Sequence, residues 1–387
     1  MSELSIGVIG YGLRGGLSRH SHKPDEGSRV TALFDPDPAA HERFREAYGN
    51  DVTTASSLAD FLALDLDAVF VLSPDWLHEE HAIAVLEAGA AVYLEKPMAI
   101  TTEGCDRILR TAQRLGGKLY LGHNMRHMPF VRGMKRLIDD GAIGEPKVAW
   151  CRHFVGHGGD FYFRDWHAQR DKGTSLLLQK GAHDIDVLHW LCGSYAETVS
   201  GIGDLMVYKQ PTEARDDSVP WWQEEKRRLS AWPPSQLGGL NPVIDVEDVS
   251  MINMRLGNGI LASYQQCHFT PDYWRNYTII GTEGRIENFG NGEPGTTIKL
   301  WNKRHDWQPE GDLEVAVDEE TGGHGGADPR IVGEFLRYVR EGGATDTSPV
   351  AARYAVAAGC AGAESLRNGS APVAVPAASA EVVSYFD

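Results

Sequence analysis

The strongest constraint on the fold lies at one junction near the N-terminus. Leu4 to Ile9 is a short apolar run with β-branched residues, the pattern of a strand buried on both faces. It breaks directly into Gly10-Tyr11-Gly12-Leu13-Arg14-Gly15. The next strand-like run, Arg29 to Phe34, ends at Asp35. Glycines at this spacing, after a strand, before an expected helix and about 20 residues ahead of an acidic side chain, form a loop suited to a pyrophosphate. The first glycine permits the turn. The second lets the backbone approach the phosphates. The third lets the following helix pack closely, with the phosphates at its positive end. Asp35 is then placed to accept hydrogen bonds from ribose hydroxyls. A carboxylate there repels a 2′-phosphate, and Pro36-Asp37-Pro38 offers no Arg or Lys. NAD is the expected cofactor, in preference to NADP.

The alternation continues. Pro38 to Tyr48 reads as a helix, Asp67 to Leu72 as a buried strand, and Trp76 to Ala88 as a helix stopped by Gly89. Ala90 to Leu94 and Lys118 to Leu121 are further strands, with a helix opened by Thr101 between them. This order predicts a parallel sheet covered on both faces. Near residue 125 the character changes. A helix is expected at Pro129 to Asp140, a longer strand at Pro146 to Phe154, and a helix at Ala182 to Leu191 ending at Gly193. Val246 to Glu287 reads as successive strands with a hairpin turn at Asn258-Gly259. A second, mostly antiparallel sheet follows. The expected domains are 1–124, a dinucleotide-binding Rossmann domain, and 125–387, an α+β domain. Residues 207–242, rich in Pro, Trp and charge, read as an excursion from the second sheet, and 329–368 as C-terminal helices of the second domain.

Composition excludes several classes. A chain of 387 residues suits two domains. Its 37 Lys and Arg against 54 Asp and Glu leave a net charge of −17, which repels nucleic acid and anionic membrane. No apolar run approaches the ~20 residues of a membrane span. The N-terminus shows no basic region or cleavage pattern, so a cytoplasmic location is expected. Cys105, Cys151, Cys192, Cys267 and Cys360 are scattered and odd in number, which argues against a disulfide framework or zinc ribbon. His78 and His81, or His153 and His157, are spaced as in metal sites, but no ligand set is completed, and no metal is expected.

Glu95-Lys96-Pro97 falls at the end of an expected parallel strand, where ligands of such sheets bind. A lysine there can hold a substrate hydroxyl and stabilise negative charge on its oxygen. Acting as a base, it would need a pKa lowered from ~10.4. Pro97 invites a cis peptide that aims the preceding side chain.

Six segments in order resemble the Gfo/Idh/MocA family. They are the glycine loop at 10–15, Ser73-Pro74-Asp75-Trp76-Leu77-His78, Glu95-Lys96-Pro97, GHNMRHMPFVRGMKRLIDDGAIGEP (122–146), GAHDIDVLHWLCG (181–193) and GTEGRIEN (281–288). The resemblance implies a Rossmann domain followed by a domain with a large, open, mainly antiparallel sheet. It implies that Gly10, Tyr11, Gly12, Leu13, Arg14 and Gly15 cradle the pyrophosphate, that Asp35 holds the ribose, and that Ser73, Pro74 and His78 line the cofactor. Glu95 and Asn124 would lie near the nicotinamide. Lys96 falls on the catalytic lysine and His183 on the active-site histidine, a side chain suited to proton abstraction near neutral pH. Many of the family's dehydrogenases carry Asp four residues before that histidine. Here Gln179 stands there, followed by Lys180, so an Asp–His relay is absent and Lys180 offers a second cation or a partner for an acidic substrate group.

Further substrate-side candidates are Arg126, Trp166 and His167, the last two from a stretch of aromatics and hydrogen-bonding groups. His268, Tyr273, Trp274, Arg275 and His324 are weaker candidates. The function expected from the resemblance is NAD-dependent oxidation of a secondary alcohol of a sugar, glycoside or polyol, with Lys96 and His183 handling the proton. Two alternatives remain open: glycoside hydrolysis or elimination through a transient keto-sugar, and a non-enzymatic sugar or dinucleotide sensor. A homodimer or homotetramer is expected, since the family buries its open sheet face between subunits.

Overall fold

The structure is a computed structural model and describes residues 3–156, 158–209, 233–234, 237–317 and 325–386. Most of the expected excursion at 207–242 lies outside the described residues, as do His157 and His324. The chain forms two compact units: Met1–His127 with Gly322–Arg353 and Ala378–Asp387, and Met128–Thr321 with Tyr354–Ala377.

The first unit is built on six strands: β1 (Leu4–Ile9), β2 (Ser28–Phe34), β3 (Thr53–Ala55), β4 (Ala68–Val71), β5 (Ala91–Leu94) and β6 (Leu119–Leu121). All pair in parallel, in the order β3-β2-β1-β4-β5-β6. The order reverses direction at β1, the switch point at which doubly wound sheets open a ligand crevice. Apolar residues fill the strands because helices cover both faces. The helix Pro38–Tyr48 starts where the Asp37 carboxylate accepts the Ala39 N–H, and Thr102–Leu115 where the Thr101 hydroxyl accepts that of Gly104.

One expectation for this unit is refined and one corrected. The helix expected after the glycine loop is a seven-residue 3₁₀ helix, Gly15–Ser21. The Ser18 hydroxyl donates to the Gly15 carbonyl and that of Ser21 to Ser18, and such back-bonds compete with α-helical geometry. The loop therefore offers backbone N–H groups without the dipole of a long helix. The helix Ala327–Glu341, expected in the second domain, belongs to the first unit. Ile331, Val332, Phe335 and Leu336 sit in the core with Val8, Phe70 and Tyr93. The Phe335 ring meets those of Phe70 and Tyr93 edge-on, at centroid distances of 5.2 and 5.5 Å. Helical periodicity shows that such a stripe must be buried, not which sheet buries it. The next helix, Pro349–Arg367, is divided between the units at Arg353.

The second unit carries nine strands: β7 (Pro146–Phe154), β8 (Ala196–Asp204), β9 (Val249–Leu256), β10 (Leu261–Cys267), β11 (Trp274–Gly281), β12 (Arg285–Phe289), β13 (Thr297–Trp301), β14 (Leu313–Ala316) and β15 (Val373–Ala374). Their order is β14-β13-β12-β11-β7-β10-β9-β8-β15. Only β7 and β10 pair in parallel, so the sheet is mainly antiparallel as expected. The β9–β10 hairpin turns at Asn258-Gly259, with Gly259 at φ +86°. One face buries Ala149, Cys151 and His153 of β7 and Tyr264 of β10. The helix Gly181–Cys192 packs there so closely that a Cβ on Gly181 would lie 2.9 Å from the Tyr264 ring. The opposite face exposes Trp150, Ile202, Met251 and Leu261. Among the described residues no helix is long and apolar enough to cross a membrane.

Candidate active site

In the first unit the strand registers align the candidate residues. Ile9 pairs with Phe34 and Val71, Val71 with Leu94, and Leu94 with Leu121. The residues that follow, Gly10, Asp35, Leu72-Ser73, Glu95-Lys96 and Gly122 to Asn124, therefore lie along one carboxyl-terminal edge of the sheet. Backbone bonds extend past the strands: Gly10 N–H donates to Phe34 O, Glu95 N–H to Val71 O and Gly122 N–H to Leu94 O.

The glycine loop fits a dinucleotide. Gly10 has φ +88°, and a Cβ there would lie 2.8 Å from the Ser73 nitrogen, so only glycine can make the turn. A Cβ on Gly15 would lie 2.7 Å from the Tyr11 ring. Gly12 differs: a Cβ there meets no atom of the described residues within 4 Å. The described residues place no demand on Gly12, whereas close approach of a pyrophosphate does. Gly12→Val should therefore shift the melting temperature by no more than about 2 °C, a surface-like change. It should weaken NAD binding by about tenfold or more. Thermal unfolding and NAD titration check this together; a destabilised variant with normal NAD affinity contradicts it. Asp35 accepts the Tyr11 N–H (2.7 Å) on one carboxylate oxygen and the Asp37 N–H (2.8 Å) on the other. Each oxygen keeps a lone pair for a ribose hydroxyl.

Other loop side chains have structural roles. The Tyr11 ring is in the core, edge-on to Phe44 at 5.1 Å, so only its backbone can face a cofactor. Leu13 is exposed. Arg14 bonds Glu95 through Nε (2.8 Å) and Asp328 through both terminal nitrogens (3.0 and 3.2 Å). Asn124 donates to the same Asp328 at 3.0 Å. Burial alone would push the Glu95 carboxyl up, but Arg14 and Lys96 outweigh it and hold it below the usual carboxylate range. The second Glu95 oxygen accepts the Lys96 N–H at 2.8 Å, and the Lys96-Pro97 peptide is cis.

His78 is also reassigned. It is buried, with Nδ1 2.6 Å from Pro97 O and Nε2 2.8 Å from Ser73 O. It ties the loop after β4 to the loop after β5 instead of presenting its ring to a ligand. Ser73 itself hydrogen-bonds His81 Nδ1 at 2.9 Å. Arg126 is buried, and one of its terminal nitrogens donates to Asp346 O at 2.8 Å.

In the second unit, Gln179 ends the short helix Leu176–Gln179, Lys180 is the junction, and His183 lies in the first turn of Gly181–Cys192. Gln179 and His183 are buried and Lys180 half-buried. Beside His183, Asp184 is fully buried. It pairs ionically with Arg275 Nε (2.7 Å) and accepts from the Tyr277 hydroxyl (2.5 Å) on one oxygen, and accepts from His153 Nδ1 (3.0 Å) on the other. Burial pushes its carboxyl up, but Arg275 and His153 outweigh that and hold it well below its ordinary value. The Lys180 ammonium lies 5.9 Å from the Tyr162 ring centroid and 5.8 Å from that of Tyr273. Tyr162 leads to His167 (5.3 Å), which stacks on Trp166 (3.6 Å). The expected candidates Lys180, His167 and Trp166 thus share a neighbourhood. Asp184 and His153 meet across 31 positions, a separation that no local pattern in the sequence reports. Among the described residues no group of three or more His, Cys, Asp or Glu is arranged to hold a metal ion.

Two histidines of this unit set a pH dependence. Burial, with Arg275 adding to it, lowers the His153 pKa to about 3. Burial lowers that of His268 well below its ordinary value. Both stay neutral in the fold, while in the unfolded chain they bind protons near ~6.5. Stability is thus full above ~6.5 and declines as pH falls below it, by about 1–2 kcal/mol per histidine at pH ~5. Urea midpoints at the two ends of this range check it: His268→Gln should lose less on acidification than the wild type, and equal losses contradict the assignment.

Comparison with known proteins agrees with this geometry. The family model described as "Oxidoreductase family, NAD-binding Rossmann fold" matches residues 4–123, and its companion, "Oxidoreductase family, C-terminal alpha/beta domain", matches 135–375. An oxidoreductase of Streptococcus pneumoniae is 33% identical over 317 residues, covering 77% of this chain and 83% of its own. The inositol 2-dehydrogenase of Ralstonia nicotianae is 34% identical over 193 residues, 49% of this chain and 55% of that protein, so this match spans about half of the relative's length. A levoglucosan dehydrogenase solved with NADH and levoglucosan superposes with a TM-score of 0.79 at 19% identity, covering 97% of this chain and all (100%) of the other, which shows a shared fold. The chain belongs to the Gfo/Idh/MocA family of NAD-binding oxidoreductases.

Proposed function

We propose that the protein is a cytoplasmic, NAD-dependent dehydrogenase that oxidises a secondary alcohol of a sugar, glycoside or polyol. The observation that carries this reading is the single sheet edge bearing the Gly10 loop, Asp35 and Lys96. Bound NAD supplies the hydride acceptor. Gly10, Gly12 and Gly15 make room for its pyrophosphate, and Asp35 takes the ribose hydroxyls. Lys96 donates to the carbinol oxygen and stabilises the charge that grows there as the C–H bond breaks. Its loop is held by Glu95 from behind and by His78 at Pro97. His183 takes the hydroxyl proton. Arg126, Trp166, His167, Gln179 and Lys180 are the substrate-side groups of this reading.

One feature favours a second reading. Gln179 cannot ionise, so the usual acidic partner before His183 is missing, which suits a redox-neutral cleavage of a glycoside. A panel of sugars, polyols and glycosides with NAD, followed by NADH absorbance and product analysis, decides. The proposal expects NADH and a keto product in equal amounts. Aglycone release without net NADH favours cleavage through a transient ketone. Binding of sugar and cofactor with no product of either kind leaves a sensor. The apolar residues exposed on the open sheet face suit the proposed homodimer or homotetramer, which light scattering measures.

A further inference from the structure

We infer that the Lys180 neighbourhood of the second unit is a subsite for a carboxylate, and that the preferred substrate is an acidic sugar of the uronate class. This inference rests on the dehydrogenase reading above and names its substrate class. Three observations carry it.

The first is a cation without a counterion. Among the described residues no carboxylate lies within ion-pair distance of the Lys180 ammonium, and its contacts are the faces of Tyr162 and Tyr273. The neighbouring carboxylate, Asp184, is already engaged by Arg275, Tyr277 and His153. With Asp184 balanced by Arg275, the cluster keeps one positive charge in a chain whose net charge is −17.

The second is a pair of buried imidazoles with spare hydrogen-bonding capacity. His268 is fully buried, and neither ring nitrogen has a partner among the described residues. His153 is 1% exposed and its Nε2 is likewise unpartnered. The His268 ring lies 5.2 Å from Tyr162, and the His153 ring 5.4 Å from Tyr273, so they flank the two tyrosines that hold Lys180. An unmade hydrogen bond at a buried polar atom costs about 1–3 kcal/mol, so three such atoms in one place require an explanation. Lys180 adds to the burial that keeps both rings neutral. The neutral His268 ring offers one donor and one acceptor, and His153, whose proton on Nδ1 goes to Asp184, offers its Nε2 as an acceptor, groups that sugar hydroxyls pair with.

The third is the aromatic lining. Tyrosine faces cover the C–H face of a pyranose, while the ammonium takes the carboxylate. A phosphate fits less well. Arg275, the group able to bind it in a fork, is occupied by Asp184, and a single ammonium leaves a dianion half compensated.

The test is calorimetric titration of D-glucuronate and D-galacturonate, their parent hexoses and glucose 6-phosphate into the full chain with NADH present. Wild type, Lys180→Gln and Lys180→Arg are compared, with circular dichroism confirming that each variant is folded. One uronate should bind the wild type at least about tenfold more tightly than its parent hexose. Lys180→Gln should erase that ratio, and Lys180→Arg should retain most of it. The inference is overturned if no uronate binds, if hexose and uronate bind alike, if the sugar phosphate binds best, or if the preference survives in Lys180→Gln. Parallel assays with NAD separate the two proposals. A uronate that binds through Lys180 without forming NADH defeats the dehydrogenase reading alone. NADH formed from neutral sugars with no preference for uronates defeats this inference alone.

Discussion

Replacing Lys96 by methionine should lower kcat by about a thousandfold, or about 4 kcal/mol of transition-state stabilisation, while NADH binding stays within about threefold. The expectation follows from how the loop is anchored. Lys96 holds its place through its main-chain N–H to Glu95, and Pro97 O is bonded by His78. Glu95 is fixed in turn by Arg14, which Asp328 grips from the other side. Methionine, of similar length and without charge, keeps every one of these main-chain bonds. The glycine loop and Asp35 that bind the dinucleotide are likewise untouched. Steady-state kinetics and NADH fluorescence titration check the two halves of the prediction. A variant with near-normal kcat removes Lys96 from the chemistry, and one that no longer binds NADH makes it a structural residue.

Asp184→Ala should destabilise the protein by about 3–5 kcal/mol, the largest stability effect expected of any single side chain at the site. Asp184 has no exposed side-chain surface and carries the counter-charge for Arg275, which is itself buried. Removing the carboxylate leaves a guanidinium in the interior with no anion, and strips His153 and Tyr277 of their acceptor. The carboxyl is held well below its ordinary value, so its contribution is present above ~4 and lost as pH falls further. Urea unfolding of the variant measures the loss. A change under about 1 kcal/mol contradicts the view that this cluster anchors the helix bearing His183. Replacing Arg275 together with Asp184 by apolar residues should recover part of the stability, because the desolvation cost then disappears with the charge.

What the sequence made legible follows from the range over which each signal acts. The strand-end positions of Gly10, Asp35 and Lys96 are readable because strand ends are set by a few neighbouring residues. Parallel pairing then lines them up without further information. The helix starts at Pro38 and Thr102 were readable for the same reason. His78 was not. The family resemblance implies a residue beside the cofactor, whereas the ring bridges Ser73 O and Pro97 O, and only packing of the β4 and β5 loops reveals that. Tyr11 shows the same limit: its place in the loop is local, but its burial against Phe44 depends on a helical residue 33 positions away in the chain. The 3₁₀ turn at Gly15–Ser21 follows from serine back-bonds that a hydrophobic pattern does not register. The Asp184 cluster is assembled from β7, β11 and one helix, across up to 93 positions, so nothing in the motif around His183 announced it. Two β8 glycines, Gly201 and Gly203, weakened that strand's pattern; they are there because side chains would strike Ile252 and the Val249 carbonyl.

The central proposal is that His183 takes the proton of the hydroxyl being oxidised. The most direct test is the pH dependence of kcat/KM for wild type and His183→Gln, once the sugar panel has supplied a substrate. The wild type should lose rate on the acid side as the imidazole takes up a proton, and His183→Gln should lose about a hundredfold or more in rate together with that acid-side fall. A variant that keeps both the wild-type rate and the wild-type profile contradicts the account.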